Sequence, residues 1–96
     1  MSESLIFVGA KPFMSYVTGV VLQFTTRGAS LVHIRARGKW ISKAVDIAEI
    51  STKRFLMNQA KVQSISIDSE QFKNEEGRDV RVSVIEIVLA KVTVTK

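Results

Sequence analysis

Short stretches of the chain show either a period of two in hydrophobic and polar positions or a brief apolar run ended by glycine, as in residues 4–10, and these patterns predict strands. The predicted strands are residues 4–10, 30–36, 61–70 and 79–94. Successive side chains of a strand point to opposite faces of the sheet. In the second strand, one face carries Val32, Ile34 and Ala36, and the other carries Leu31, His33, Arg35 and Arg37.

Two longer stretches, residues 11–28 and 41–57, place apolar residues at helical spacing. Pro12 suits the first position of the first helix, and Gly28 suits the position just beyond its end. The apolar stripe of this first helix is Phe13, Val17, Val20, Val21 and Phe24. The stripe of the second helix is Ile41, Ala44, Val45, Ala48 and Phe55.

The predicted order is therefore β-α-β-α-β-β, which indicates one two-layer α+β domain over residues 1–96, with a mixed sheet and two helices. Each β-α-β unit predicts parallel strands, and the last two strands predict a hairpin. A hairpin strand of about fourteen extended residues would span roughly 46 Å. A domain of this size is only about 25 to 30 Å wide. The hairpin tip, residues 73–79, is thus expected to project as an arm.

Positive charge is concentrated in the first half of the chain. The net charge is +5, and residues 4–45 hold six Lys and Arg but no acid, whereas residues 46–96 hold eight acids and eight bases. The basic residues most relevant here are Lys11, Arg35, Arg37, Lys39 and Lys43. A field of one sign attracts a polyanion such as nucleic acid.

The turns after the first two strands are expected to open at the same edge of a sheet, because these strands are predicted to be parallel. Lys11 lies in the first turn, and Arg37 and Lys39 lie in the second. The second helix begins nearby and offers free backbone N–H groups to a phosphate. The arrangement predicts a phosphate cradle. The competing interpretation is a solvated loop with surplus charge.

Candidate catalytic chemistry is sparse. The chain has no cysteine, one histidine (His33) and no phosphate-binding glycine loop of the usual kinds. Glu75 and Glu76 are adjacent in a predicted turn, where acids are usually solvated. We therefore expect no enzymatic activity, no metal and no cofactor. The chain has no run of 18 apolar residues and no secretory signal, so we expect a soluble intracellular protein without membrane association.

Three segments resemble the Alba family of archaeal chromatin proteins: GAKPFMSYV, IRARGKWISKAVDIAEISTKRF and EEGRDVRVSVIEIVL. They occur in the family's order over roughly residues 5 to 90, and GxKPxMxYV and ARGxxISKAVD are quite specific. The resemblance implies a homodimer that coats double-stranded DNA with little sequence preference, lies along its backbone and inserts two hairpin arms into the minor groove. It also implies RNA binding, a cytoplasmic, chromosome-associated location and higher-order assembly on DNA or a heterodimer with a paralogue.

The resemblance also suggests roles for individual residues. The family's nucleic-acid contacts correspond to Lys11, Arg37 and Lys39, with Arg35 just before them. We add Lys43 and Arg78 from the pattern of charge, and the further candidate contacts are Trp40, Ser42, Lys73 and Asn74. Phe55 resembles the family residue that joins dimers side by side, although plain core packing would explain it equally well.

The sequence departs from the family pattern at two places. Ala10 replaces the first of two lysines that many members carry before the proline, which leaves Lys11 as the candidate acetylation site of this turn. The predicted arm tip contains three acids, which repel phosphate. The alternatives are an RNA chaperone or ribonucleoprotein subunit, and a protein-interaction module that meets an acidic partner.

Overall fold

The computed structural model describes residues 2–93. Its elements, in chain order, are β1 (Glu3–Phe7), α1 (Phe13–Thr25), β2 (Leu31–Arg37), α2 (Ile41–Ile50), β3 (Ala60–Lys73) and β4 (Asp79–Lys91). A 3₁₀ turn (Gly38–Trp40) precedes α2, and a π-helical turn (Ser51–Phe55) follows it. The predicted order of two helices and four strands is confirmed.

The strand limits differ from the predicted ones. β1 ends at Phe7, so Gly9 and Ala10 belong to the turn that follows, and β3 continues three residues beyond residue 70 to Lys73. β4 ends at Lys91, and the predicted end at residue 94 lies outside the described residues. β3 and β4 therefore both extend to the hairpin turn, as a projecting arm requires.

The four strands form one mixed sheet in the order β1-β2-β4-β3. β1 and β2 are parallel, as predicted, while β4 runs antiparallel to both of its neighbours. Because β1 and β2 are parallel, the turns that follow them leave the same end of the sheet.

Both helices contribute to a core on one face of this sheet. Val32, Ile34 and Ala36 of β2 are buried and pair with the buried β4 residues Leu89, Ile87 and Ile85. Against them pack α1 and α2, whose buried residues are Tyr16, Val17, Val20, Phe24, Ala44, Ile47 and Ala48. The predicted division of β2 into an apolar and a polar face is confirmed. The polar side, which carries Arg35 and Arg37, is here called the open face.

The predicted stripe of α2 is partly wrong. Val45 and Phe55 are 41% and 49% exposed, whereas Ile47 and Leu56 are fully buried. At Phe55 the cause is the π-helical turn, in which the Leu56 N–H donates to the Ser51 carbonyl, five residues back; the exposure of Val45, which precedes this turn, has no such explanation. This wider turn shifts the helical phase by about one residue, so Leu56 enters the core where a continuous α-helix would have placed Phe55.

The hairpin of β3 and β4 forms a long arm. The principal extents of the molecule are 57 × 25 × 20 Å. β2 ends where Arg37 pairs with Val84, while β3 and β4 remain paired out to Lys73 and Asp79. The arm therefore extends beyond the end of the sheet from which the basic turns leave. Within residues 2–93, neither helix is long and apolar enough to cross a membrane.

Candidate nucleic-acid interface

The turn after β1 (residues 8–12), here called the Lys11 turn, lies close to the turn after β2 (Gly38–Trp40). The Val8 N–H donates to the Arg35 carbonyl at 2.9 Å, which continues the β1–β2 pairing beyond the end of β1. Farther along, Lys43 Nζ donates to the carbonyl oxygens of Gly9 (2.7 Å) and Lys11 (2.6 Å). The structure thus brings Lys11 close to the start of α2, as the parallel strands predicted.

The second turn depends on Gly38. Its φ of +54° lies in the left-handed region, which disfavours residues with a Cβ. A Cβ added there would also lie 3.2 Å from Val82 Cγ2 on the arm. Glycine therefore permits both the sharp turn and its close approach to the arm. Lys39, which directly follows Gly38, is exposed.

The two arginines of β2 are paired with acids, contrary to what the local sequence indicated. Arg35 Nε lies 2.6 Å from Glu86 Oε2, and an Arg37 Nη2 atom lies 2.9 Å from Glu70 Oε1. The hydrogen bond from Arg35 is the main cause that lowers the pKa of Glu86 below its ordinary value. Glu86 belongs to β4 and Glu70 belongs to β3. Residues 4–45 therefore contain no acid in the sequence, but in the folded chain acids of other strands lie beside their arginines.

The open face holds a further acid–base pair beside Arg35. His33 Nε2 lies 2.8 Å from Glu3 Oε1, and His33 Nδ1 lies 3.4 Å from Glu86 Oε2. His33 thus sits between two carboxylates of neighbouring strands. Its partners are the acids Glu3 and Glu86, and among the residues that the structure describes no group of three His, Cys, Asp or Glu could hold a metal ion.

Lys43 and Trp40 are engaged within the protein. The Lys43 ammonium lies 5.1 Å from the ring centroids of both Tyr16 and Trp40, in addition to its two carbonyl contacts. Lys39 Nζ lies 4.9 Å from the Trp40 ring, and this half-buried ring also packs against the core. Base stacking by Trp40 is therefore poorly supported. Ser42 is exposed in the first turn of α2.

The arm tip is organised by Asn74. Its side-chain oxygen accepts hydrogen bonds from the N–H groups of Glu76 (2.9 Å) and Arg78 (3.0 Å), and Gly77 supplies a φ of +77°. Lys73 Nζ lies 3.7 Å from Asp79. Asn74 thus has a structural role, and Lys73 is partly neutralised. Arg78 is exposed, with no ion pair to another described residue.

Sequence reasoning missed several relevant residues. Glu70 and Glu86 pair with the arginines, and Tyr16 holds the Lys11 turn through its hydroxyl group. Arg81 is an exposed cation of the arm, one residue from Val80 and Val82. Alternation along β4 would have placed Arg81 on the arm surface. Nothing local pointed to the other three.

Among the exposed apolar residues that the structure describes, two groups are relevant to assembly. Phe55 lines a shallow apolar pocket with α1 residues; the other lining residues are Met14, Val17, Thr18, Val21 and Leu22. Ile65 and Ile67 of β3 are 61% and 81% exposed, although they pair with Ile87 and Ile85 and so share the helix-covered face of the sheet. Neither α1 nor α2 covers β3.

Comparisons with known proteins identify the family and the fold of the chain. The sequence profile of the Alba family matches residues 5–69. The chain belongs to the Alba family. It is 52% identical over 91 residues to DNA/RNA-binding protein Alba 1 of Archaeoglobus fulgidus, which covers 95% of this chain and 99% of the relative. The solved structure of Alba from Thermoplasma volcanium shares 49% identity and a TM-score of 0.80, over 90% of this chain and 98% of the other.

Other relatives show how far the Alba fold extends. DNA/RNA-binding protein Alba of Methanococcus maripaludis is 42% identical over 93% of this chain and 99% of its own length. Alba1 from Trypanosoma brucei has a TM-score of 0.71 at 22% identity, over 92% of this chain and 68% of the other, and so shares the fold. The family assignment and the β-α-β-α-β-β architecture expected from the sequence are both confirmed.

Proposed function

We propose that this protein binds double-stranded DNA without sequence preference, as a chromosome-associated homodimer, through the basic end of its sheet. Several relatives carry the name DNA/RNA-binding protein Alba. The observation that carries the proposal is the placement of two exposed lysines, Lys11 and Lys39, in adjoining turns at the end of the sheet from which the arm extends. Contacts to phosphates supply affinity without reading sequence.

The ion pairs divide the proposed contacts into two groups. Lys11 and Lys39 are exposed and take part in none of the ion pairs among the described residues, so they can meet a phosphate directly. Arg35 and Arg37 must exchange Glu86 and Glu70 for phosphate before they can contribute. The lysines are therefore expected to contribute more than the arginines.

The proposed homodimer rests on the uncovered part of the sheet. Ile65 and Ile67 lie on the apolar side of β3, and Val45 is 41% exposed on α2. A second copy of the chain would bring its own α2 and β3 to this surface and bury all of these side chains. A small domain with such an exposed apolar strand is commonly completed by a partner subunit.

The arms supply a second mode of contact in this proposal. In a homodimer two arms extend from one basic surface, and Arg78 at each tip can enter the minor groove while the acids of the turn face outward. Arg81 gives the arm another exposed cation. Insertion in the minor groove favours B-form DNA over A-form RNA, whose minor groove is wide and shallow.

Assembly of dimers along DNA is proposed to use Phe55. The ring is 49% exposed and faces an apolar pocket of α1, which suits contact with the same residue of another dimer. The exposure argues against the alternative that Phe55 is a core residue. Lys11, whose side chain is exposed, remains the proposed site for regulation by acetylation, because loss of its charge would weaken a phosphate contact.

The test of the proposed function is a salt titration of binding to 30-base-pair DNA, to a scrambled DNA of equal length and to a matched RNA duplex. Neutralisation of about four to eight phosphates per dimer predicts a log–log slope of roughly −4 to −7 on DNA. Equal affinity for both DNAs, tighter than for RNA, is the expected result. Tighter RNA binding would favour the ribonucleoprotein alternative, and no binding at low salt would leave the basic surface for a protein partner.

Variants of single lysines locate the surface. Lys11→Ala and Lys39→Ala should each weaken binding to all sequences alike and flatten the slope by about 2 per dimer, because each removes two phosphate contacts. Arg27→Ala is the matched control. Arg27 follows α1 at the opposite end of the sheet, so its loss should change the slope little. Equal effects of all three variants would show that only net charge matters.

A further inference from the structure

The Lys11 turn is held from two sides by the side chains of Tyr16 and Lys43. The Tyr16 hydroxyl oxygen accepts hydrogen bonds from the backbone N–H groups of Gly9 (2.8 Å) and Lys11 (3.3 Å). The Lys43 ammonium donates to the carbonyl oxygens of the same two residues, at 2.7 and 2.6 Å. Four backbone groups of one short turn are thus satisfied by two side chains.

The two side chains also hold each other. Lys43 Nζ lies 5.1 Å from the centroid of the Tyr16 ring, and the Tyr16 side chain is buried, with 8% of its surface exposed. Tyr16 comes from the first half of α1, and Lys43 comes from the first turn of α2. The turn is consequently fixed to both helices. The Lys11 side chain, in contrast, is exposed.

This geometry bears on how Lys43 can act. An ammonium group has three donors, and the carbonyl oxygens of Gly9 and Lys11 already occupy two of them. A side chain that binds phosphate directly needs donors that are free in the unbound protein, whereas Lys43 uses two of its three donors within the turn. Its contacts are therefore those of a residue that holds the turn in place.

We propose that Tyr16 and Lys43 are positioning residues, which preorganise the Lys11 turn so that the Lys11 ammonium meets a nucleic-acid phosphate without an ordering cost. The proposal rests on the proposed function, since the ligand is the DNA backbone. A flexible turn would lose conformational entropy each time Lys11 bound a phosphate, and preorganisation removes that loss. Tyr16 makes its contribution without any charge of its own.

The first test is made on the free protein and needs no nucleic acid. Tyr16→Phe removes the hydroxyl acceptor, so amide hydrogen exchange at Gly9 and Lys11 should accelerate roughly tenfold or more relative to the amides of β2. Thr25→Val is the matched control, because it removes a hydroxyl hydrogen bond (to the Val21 carbonyl, 2.9 Å) at the other end of the same helix. Unchanged exchange at Gly9 and Lys11 in Tyr16→Phe would overturn the proposal, whatever the protein binds.

The second test is a double-mutant cycle for binding to 30-base-pair DNA. Tyr16→Phe should weaken binding roughly three- to tenfold in the wild-type background, about the net effect of one or two lost hydrogen bonds. In the Lys11→Ala background the same change should alter affinity less than about twofold, because the residue that it positions is absent. Equal losses in both backgrounds would show a merely structural role. A wild-type protein that does not bind DNA would refute the proposed function and leave the exchange result standing.

The same two measurements distinguish a positioning role of Lys43 from direct contact with phosphate. Lys43→Met keeps an unbranched side chain, one heavy atom shorter, and removes its donors, so exchange at Gly9 and Lys11 should again accelerate. If Lys43→Met instead flattened the salt slope by about 2 per dimer with unchanged exchange, Lys43 would be a phosphate ligand and its positioning role would be wrong.

Discussion

At the scale of single residues, the pairing of Arg35 with Glu86 makes stability depend on pH. The Arg35 side chain holds the pKa of Glu86 below its ordinary value of 4.5, because the charge-assisted hydrogen bond favours the carboxylate. A lowered folded-state pKa means that this pair stabilises the fold above pH 4.5. That stabilisation is lost as the pH falls below 4.5 and through the folded-state pKa.

We predict that the coupling free energy between Arg35 and Glu86, measured with Arg35→Met, Glu86→Gln and the double variant, is about 0.2–1 kcal/mol at pH 7 and smaller at pH 2. Urea unfolding at the two pH values measures it. His33 also contacts Glu86, and Glu3 contacts His33; the cycle cancels their contributions to a first approximation because they are present in all four proteins. The absence of any favourable coupling at pH 7 would contradict the lowered pKa of Glu86.

The same residues show what a sequence can and cannot reveal about a site. Alternation along residues 30–36 predicted correctly that Arg35 and Arg37 share the open face, because that face follows from a local period of two. Arg35 pairs with Glu86, which lies 51 positions farther along the chain. Arg37 pairs with Glu70 on β3. Such partners depend on strand order and register, which no local pattern encodes.

At the scale of elements, the arm and the body of the sheet are connected through Arg37. Its guanidinium group pairs with Glu70 and lies 5.8 Å from the ring of Phe72, and both residues belong to the arm strand β3. In the free protein Glu70 occupies the group that is expected to meet phosphate. In the proposed function, Glu70 would therefore compete with DNA for Arg37.

We predict that Glu70→Gln tightens DNA binding roughly three- to tenfold at low salt, because two exposed ion pairs of about 0.2–1 kcal/mol each no longer have to be broken per dimer. The slope should also steepen by about 1 to 2, since Arg37 then releases a counterion on binding. The same salt titration of DNA binding measures both quantities.

Asp68→Asn is the control for this prediction. It makes the same charge change two residues away on the same face of β3, where the carboxylate contacts a backbone N–H and, within residues 2–93, forms no ion pair. Its effect should stay below about twofold. Weaker binding by Glu70→Gln would mean that Glu70 holds Arg37 in position and does not compete for it.

Helix ends show the other limit of sequence reasoning. The stripe of α1 was predicted well because one unbroken 3.6-residue period runs through it, and Val17, Val20 and Phe24 are buried. In the second helix, the π-helical turn changes the period, and Phe55 moved from the predicted core to the surface. A π-helical turn is set by how the helix fits the core, so its position could not be derived from spacing.

At the scale of the whole molecule, the described chain leaves part of the apolar side of its sheet uncovered. The two helices cover β1, β2 and β4, while β3 presents Ile65 and Ile67 on the apolar side without cover. The arm places its cations at one end of the same sheet. A twofold partner that covered β3 would therefore also bring a second basic end and a second arm to the same DNA.

We predict that Ile65→Gln combined with Ile67→Gln converts a dimer into a monomer with the 10.7 kDa mass of one chain. The monomer should remain folded, because the two side chains are 61% and 81% exposed within it. Sedimentation equilibrium measures the mass and circular dichroism the fold. The matched control is Leu5→Gln with Phe7→Gln, since these residues are 46% and 63% exposed on the open face of the sheet.

The monomer should also lose most of its DNA affinity. Two linked binding surfaces act at a high effective concentration, so separating them should weaken binding by about 10²-fold or more. The log–log salt slope should fall to roughly half, because half of the phosphate contacts remain. If the Ile65 and Ile67 variant were monomeric and yet kept the full slope, one chain would make all the phosphate contacts and the dimer would not be the binding unit. If the control variant were monomeric instead, subunits would associate through the open face, and Arg35 and Arg37 would lie in the interface.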